Sequence, residues 1–366
     1  MRKCLLYALT FLAAITLVGC STQKRGVEKE GRSVKNKETN AAEKAVTEIT
    51  PTDEIVELAN DFFVVRYDGD YGFEQFLSAG GAASDEEVIR FLSENLLSGV
   101  DLGFLGNIFG CSTIAVKDEN GKALFGRNFD WRHCEAMVVL SHPENGYASL
   151  STVNVDFISQ GGLTGMALRN DEIKKVAALY APLDGMNEKG LVVSVNMIQD
   201  SASIEQDTDK PDITTTTAIR LLLDRAATVD EALVLLEKYD MHASMGMMVH
   251  FALADTTGKS VAVEYVDNAM VVTETPILTN FYLAEGEKKG IGTKQSHTRY
   301  DMLLEQLKEK EIMNKEDVRD ALSSVSKGNF GKFESTEWSI VFQQAEGKAI
   351  YYHRENYKEG YVFTIE

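Results

Sequence analysis

Hydrophobic positions divide the chain into four stretches. Residues 1–20 hold an uncharged, mostly apolar stretch, Leu5 to Val18, behind Arg2 and Lys3. Residues 21–52 are Ser, Thr, Gln, Lys, Glu and Asn with almost nothing to bury, the composition of a flexible tether. Residues 53–110 are expected to be a helical pro-segment or small subunit. Ile55, Val56, Leu58, Ala59, Phe62 and Phe63 follow helical spacing over 53–63. Ser84-Asp85-Glu86-Glu87 fits a capping box that opens a second helix to about Leu97. Gly99 to Gly110 then breaks regular structure with its glycines.

Residues 111–366 read differently. Ser112 to Lys117 and Lys122 to Asn128 are β-prone runs around Asn120-Gly121, a hairpin signal. Further strands are expected at 175–180, 191–197, 250–254, 261–265, 339–342 and 349–353. Helices are expected at 215–227, 229–239, 298–310 and 315–325, with starts at Thr228-Val229-Asp230-Glu231 and Asn314-Lys315-Glu316-Asp317. Grouped strands with grouped helices predict an α+β fold, two packed antiparallel sheets flanked by helices.

Composition narrows the class. A chain of 366 residues, 44% hydrophobic, is long enough for one large core. Its formal net charge of −19 and the absence of a Lys/Arg cluster argue against nucleic-acid binding. The four cysteines, Cys4, Cys20, Cys111 and Cys134, show no C-x-x-C spacing, and H-E-x-x-H is absent, so no metal or other cofactor is expected. The apolar run at 5–18 has signal-peptide length and is short for a membrane span. It ends in Leu17-Val18-Gly19-Cys20, which resembles the bacterial lipobox. The expectation is an exported protein, lipidated on Cys20 and anchored at the membrane surface.

Chemistry concentrates around Cys111. With a two-residue turn at Asn120-Gly121, Asp130 lies across from Cys111; with a four-residue turn, Asn128 does. Strict alternation then points Arg127 to the opposite face, so that its use requires a bulge. His133 lies beyond the strand, which leaves the cysteine's own α-amino group as the available base. That group titrates at about 7.7–8.0, just below a thiol at about 8.5, and an N-terminal nucleophile activated this way is an established mode. Asp130 would hold the amine and Arg127 would stabilise the thiolate. The same pattern also suits a buried structural cysteine with a surface Arg/Asp pair.

Gly110-Cys111-Ser112-Thr113 followed by Phe125-Gly126-Arg127-Asn128-Phe129-Asp130-Trp131 resembles the choloylglycine hydrolase and penicillin V acylase family. It is also similar to acid ceramidase and the isopenicillin-N acyltransferase group. In that pattern an arginine stands sixteen residues after the cysteine and an aspartate nineteen after, as Arg127 and Asp130 do. The resemblance implies an αββα sandwich of the N-terminal-nucleophile hydrolase type, with self-cleavage between Gly110 and Cys111. It further implies oxyanion donors at Asn196 and Asn280 and a late active-site arginine at Arg299. Asp184, Asn187 and Glu188 read as loop architecture and Asn128 as structural. Cys111 follows a long ordered stretch, closer to acid ceramidase than to the bile-acid enzymes, which disfavours bile salts as substrate.

The expected reaction is hydrolysis of a linear, non-peptide N-acyl amide through a Cys111 thioester, without a cofactor. An acyltransferase on the same scaffold stays open, as do a non-catalytic amphiphile-binding lipoprotein and a homo-oligomeric assembly. A papain-like Cys–His pair is disfavoured because Cys111 opens a strand. Cys20→Ala is expected to move the protein from the membrane pellet to the soluble fraction; unchanged pelleting would remove the lipid anchor.

Overall fold

The computed structural model describes residues 45–96, 110–159, 170–330 and 334–366. The expectations for the apolar leader, Cys20, the first part of the tether and the glycine-rich 99–109 segment lie outside them. Regular structure is already present inside the expected tether. Within 45–96 come β1 (Ala45–Glu48), β2 (Val56–Ala59), β3 (Phe62–Asp68), α1 (Phe73–Ser78) and α2 (Asp85–Asn95). Then follow β4 (Gly110–Lys117), β5 (Ala123–Trp131), β6 (Ala136–His142), β7 (Ser149–Asn154), α3 (Val155–Ser159) and α4 (Asp171–Tyr180). The next elements are β8 (Asp184–Asn187), β9 (Val192–Met197), β10 (Asp212–Thr214), α5 (Thr215–Arg225) and α6 (Val229–Leu236). After them come β11 (Asp240–His242), β12 (Val249–Ala254), β13 (Ser260–Val266), β14 (Ala269–Glu274) and β15 (Ile277–Leu278). The chain closes with α7 (Lys294–Glu309), α8 (Lys315–Ser324), β16 (Ser335–Gln343), β17 (Lys348–His353) and β18 (Glu359–Thr364).

Two large sheets carry the fold. One runs β1-β18-β17-β16-β5-β4-β15 and the other β14-β13-β12-β9-β8-β7-β6-β3-β2. Helices α7 and α8 pack on the first sheet, α4 and α5 on the second, and β4 meets β9 between them. This is the expected helix–sheet–sheet–helix layering. Within these two sheets pairing is antiparallel except at β1 with β18 and β3 with β6, and the separate β10–β11 pair is also parallel.

Three local expectations are corrected. Residues 53–63 form no helix: Phe62, Val64 and Val65 are buried in β3, which pairs in register with β6 over seven residues. The turn that makes this possible sits at Asp61, whose φ is 63°. Residues 45–48, assigned to the tether, form a strand because the edge of β18 offers them backbone partners. Residues 175–180 are helical, since Asn170 caps the run by accepting from the Glu172 N–H. Short apolar runs look alike in helix and strand, and the cap decides here. Three helices start at their expected caps, with Ser84, Thr228 and Asn314 each accepting a backbone N–H three residues on, whereas α7 begins four residues before the expected 298, capped by Thr293.

The β4–β5 hairpin takes neither expected register. Gly121 N–H donates to the Asp118 carbonyl and Asp118 N–H to the Lys122 carbonyl, both at 2.9 Å. This closes a three-residue loop, 119–121, with Gly121 left-handed at φ 75°. Asp118 Oδ1 accepts the Asn120 and Lys122 N–H groups and holds the loop shut. Cys111 therefore opposes Phe129, Gly110 opposes Asp130, and Thr113 opposes Arg127. A side chain at position 121 meets no steric neighbour but must adopt the left-handed conformation. Gly121→Val is therefore expected to lower unfolding free energy by about 1–3 kcal/mol, measured by urea titration.

Candidate active site

Register sorts the expected residues onto two faces. Cys111, Arg127 and Phe129 point between the sheets, while Ser112, Asn128 and Asp130 point toward α7 and α8. Arg127 needs no bulge to share the cysteine's face, because the three-residue loop shifts the pairing by one position. All of β5 is buried, which is what a strand between a second sheet and a helix layer requires.

On the inner face, Arg127 is wholly enclosed. Its Nη1 donates to Asn196 Oδ1 at 2.7 Å, its Nη2 to the Val195 carbonyl at 2.9 Å, and its Nε to Asp184 Oδ2 at 3.1 Å. Trp338 Nε1 donates to the same Asp184 oxygen at 3.0 Å, and its ring stacks on Phe129 with centroids 3.9 Å apart. Asp184, read from the sequence as loop architecture, is thus the counter-ion of Arg127 on β8. Asn187 is architecture as expected, tying its strand end to the Leu223 and Ala226 carbonyls. So is Asn128, which joins Leu322 to Ser339.

Asn196 and Asn280 frame the nucleophile. The Cys111 N–H donates to Asn280 Oδ1 at 2.9 Å, and Asn280 Nδ2 donates to the Met197 carbonyl at 2.8 Å. A donor on one side and an acceptor on the other fix the orientation of this amide. One of the two Nδ2 hydrogens is left to serve another acceptor. Asn196 is more fully committed, with its Nδ2 reaching the Leu278 and Thr279 carbonyls. Burial pushes the Cys111 thiol above its ordinary range; Arg127 opposes this, Asp130 reinforces it, and Arg299 opposes it more weakly.

The outer face carries a second ionic group. Asp130 Oδ2 lies 2.7 Å from Arg299 Nη1 and 3.7 Å from Lys327 Nζ, and its Oδ1 accepts from Thr336 Oγ1 at 2.6 Å. Arg299, on α7, also donates to Ser112 Oγ at 2.9 Å. Burial disfavours the Asp130 carboxylate, but Arg299 and Lys327 outweigh it and hold the carboxyl below its usual range. Neither Lys327 nor Thr336 was singled out by the sequence, since both come from a segment some 200 residues away from the cysteine. The histidines have other partners. His250 bridges Glu264 and the Thr279 carbonyl, His297 meets the Gly290 carbonyl and stacks on Phe281, and His133 contacts Asp61 and Arg354. Cys111 and Cys134 are both free thiols. Among the described residues no group of three or more His, Cys, Asp or Glu side chains is gathered as a metal site requires. A cavity of about 600 Å³ opens at the far end of the hairpin, lined by Val116, Leu124, Leu304 and Ile312, and Cys111 does not line it.

Comparison with known proteins bears on this geometry. Residues 111–281 match the family of linear amide C-N hydrolases, choloylglycine hydrolase family. The resemblance to the choloylglycine hydrolases holds, and it begins at Cys111. It supports hydrolysis of an amide. A mutant of the conjugated bile acid hydrolase from Clostridium perfringens shares the fold at 19% identity and TM-score 0.53, covering 70% of this chain and 92% of that one. Another variant of that hydrolase aligns at 17% identity and the same TM-score of 0.53. Penicillin V acylase from Agrobacterium tumefaciens aligns at 16% identity with TM-score 0.42, over 66% of this chain and 83% of that one. No curated protein matches the chain.

The Arg127–Asp184 pair is fully buried on both sides. Asp184→Asn leaves a buried guanidinium without its counter-charge, so the variant should lose about 3–5 kcal/mol in urea unfolding. A loss within experimental error would remove Asp184 as the support of Arg127.

Proposed function

We propose that this protein is a cysteine amidohydrolase that cuts its own chain between Gly110 and Cys111 and then hydrolyses a linear N-acyl amide through a Cys111 thioester. The observation that carries the reading is the environment of Cys111. Its thiol is fully buried beside Arg127, its amide N–H is held by Asn280, and no histidine is bonded to it among the described residues. A thiol raised by burial needs a base, and the α-amine released by the cut would supply one on the same residue.

In the maturation step the Cys111 sulfur attacks the Gly110 carbonyl carbon. The C–N bond breaks, the thiol proton goes to the departing Cys111 nitrogen, and water hydrolyses the resulting thioester. In turnover the freed amine takes the thiol proton, sulfur attacks the acyl carbonyl of the substrate, and the substrate's amine leaves carrying a proton. Water then resolves the acyl-enzyme. The unused Nδ2 hydrogen of Asn280 is suited to the oxyanion, a contact whose loss costs ~10²–10³ in rate. Arg127 would stabilise the thiolate, Asn196 would fix Arg127 and the Thr279–Asn280 backbone, and Asp130 with Arg299 would receive the new terminus.

Residues 45–96 are proposed to stay bound after the cut. They supply β1 to one sheet and β2 and β3 to the other, and Phe62, Phe76 and Leu92 are fully buried. A lipid on Cys20 would then hold both pieces at the membrane. N-terminal sequencing and intact mass under denaturing conditions should give a 256-residue chain beginning at Cys111 (366 − 110) together with a smaller fragment. Both should co-elute natively, and Cys111→Ala should remain one chain. An active enzyme with its Gly110–Cys111 bond intact would overturn the mechanism.

A further inference from the structure

We propose that Lys327 tunes the acid–base pair formed at Cys111, keeping the freed α-amine neutral and able to accept a proton. This rests on the self-cleavage reading above. Lys327 follows α8 and is almost entirely enclosed, with 6% of its side chain exposed. Its ammonium pairs with Glu334 at 2.5 Å and stands 3.7 Å from Asp130 Oδ2. It also lies against Gly110, the residue before the bond to be cut. A methyl group on Gly110 would stand 2.5 Å from Lys327 Nζ, 3.1 Å from Asp130 Oδ2 and 3.2 Å from Glu334 Oε2.

The position of Lys327 is built in. Thr336 Oγ1 accepts the Lys327 N–H at 2.8 Å and donates to Asp130 Oδ1 at 2.6 Å, while Thr336 N–H donates to the Lys327 carbonyl at 2.9 Å. One hydroxyl therefore fixes the lysine backbone and the aspartate together. The charges around this end of β4 are Asp130 from β5, Arg299 from α7, and Lys327 and Glu334 from the connection between α8 and β16. Across the strand, on the thiol's side, Arg127 is neutralised by Asp184. Before the cut the outer group balances two cations against two anions, and the cut adds the Gly110 carboxylate on the other side of the broken bond. An ammonium on Cys111 would add a third cation beside Arg299 and Lys327, and like charges nearby disfavour the charged form. Without Lys327, Asp130 and Glu334 would outnumber the cations and draw a proton onto the amine. The thiol and amine titrate as a coupled pair, and both members respond to this field in the same direction.

The test needs no substrate. The rate of Cys111 carboxamidomethylation by iodoacetamide is followed by mass spectrometry against pH in the cut protein. Lys327→Met should move the profile up by about one pH unit, Glu334→Gln should move it down, and Lys327→Arg should restore the wild-type position. Opposite shifts from two variants of one contact are not what general loosening gives. If Lys327→Met does not fold, the downward shift in Glu334→Gln carries the test. An unmoved profile in both, or movement in the same direction, overturns the proposal while leaving self-cleavage standing. A wild-type chain that is never cut overturns both, and a cut chain whose Cys111 is unreactive overturns the proposal together with Cys111 as nucleophile.

Discussion

The pairing register between β4 and β5 is the constraint on which the rest of the site depends. Side chains alternate along a strand, so a slip of one residue exchanges the two faces. Here a left-handed Gly121 and the Asp118 carboxylate close a three-residue loop, which brings Cys111 opposite Phe129. Arg127 then shares the cysteine's face and Asp130 shares that of Gly110. A two-residue turn would have put Asp130 in line with the thiol and turned Arg127 toward the helices. The chemistry at one end of the hairpin is thus set by backbone geometry at the other.

That alternation also obliges the fold to neutralise charge on both sides of a buried strand. A buried ion is costly unless paired and hydrogen-bonded. On the inner side Asp184 and Asn196 complete the guanidinium of Arg127, and Trp338 satisfies the carboxylate further. On the outer side Arg299, Lys327 and Thr336 surround Asp130. The two groups lie on opposite faces of one sheet, with β16 giving Trp338 to the inner one and Thr336 to the outer one, and both bear on one residue. Arg127 acts on the sulfur of Cys111, and the outer group sits by its peptide bond to Gly110. Asp130 and Arg299 reach the thiol as well, so charge on both faces of the strand bears on Cys111.

The segment ahead of the cysteine is joined to the body by backbone pairing as well as by packing. β3 runs parallel to β6, a geometry that a simple hairpin connection cannot make, and β1 runs parallel to β18 at the far end of the chain. Phe62 adds its ring against Tyr351, His353 and Tyr361, so that the β2–β3 strands lean on the last two strands of the other sheet. The family match starts at Cys111, whereas strands ahead of it, from Ala45 on, already belong to both sheets.

Local signals were readable from the sequence and nonlocal ones were not. The capped helices at α5, α6 and α8, the hairpin, and the spacing of Cys111, Arg127 and Asp130 all lie within short windows, where periodicity and capping chemistry act directly. Residues 53–63 misled because their apolar spacing suits a helix, and only β6, some seventy residues on, supplies the partner that makes them strands. Asp184 looked like a loop residue because its ion pair spans 57 positions, and Lys327 left no mark because its contact with Asp130 spans 197 positions (327 − 130). The sequence by itself determined that Cys111, Arg127 and Asp130 would lie on one hairpin and that two sheets would be layered between helices. Tertiary structure decided which face each residue occupies and which charge answers it. Those depend on the handedness of one glycine and on partners that only folding brings within a few ångströms.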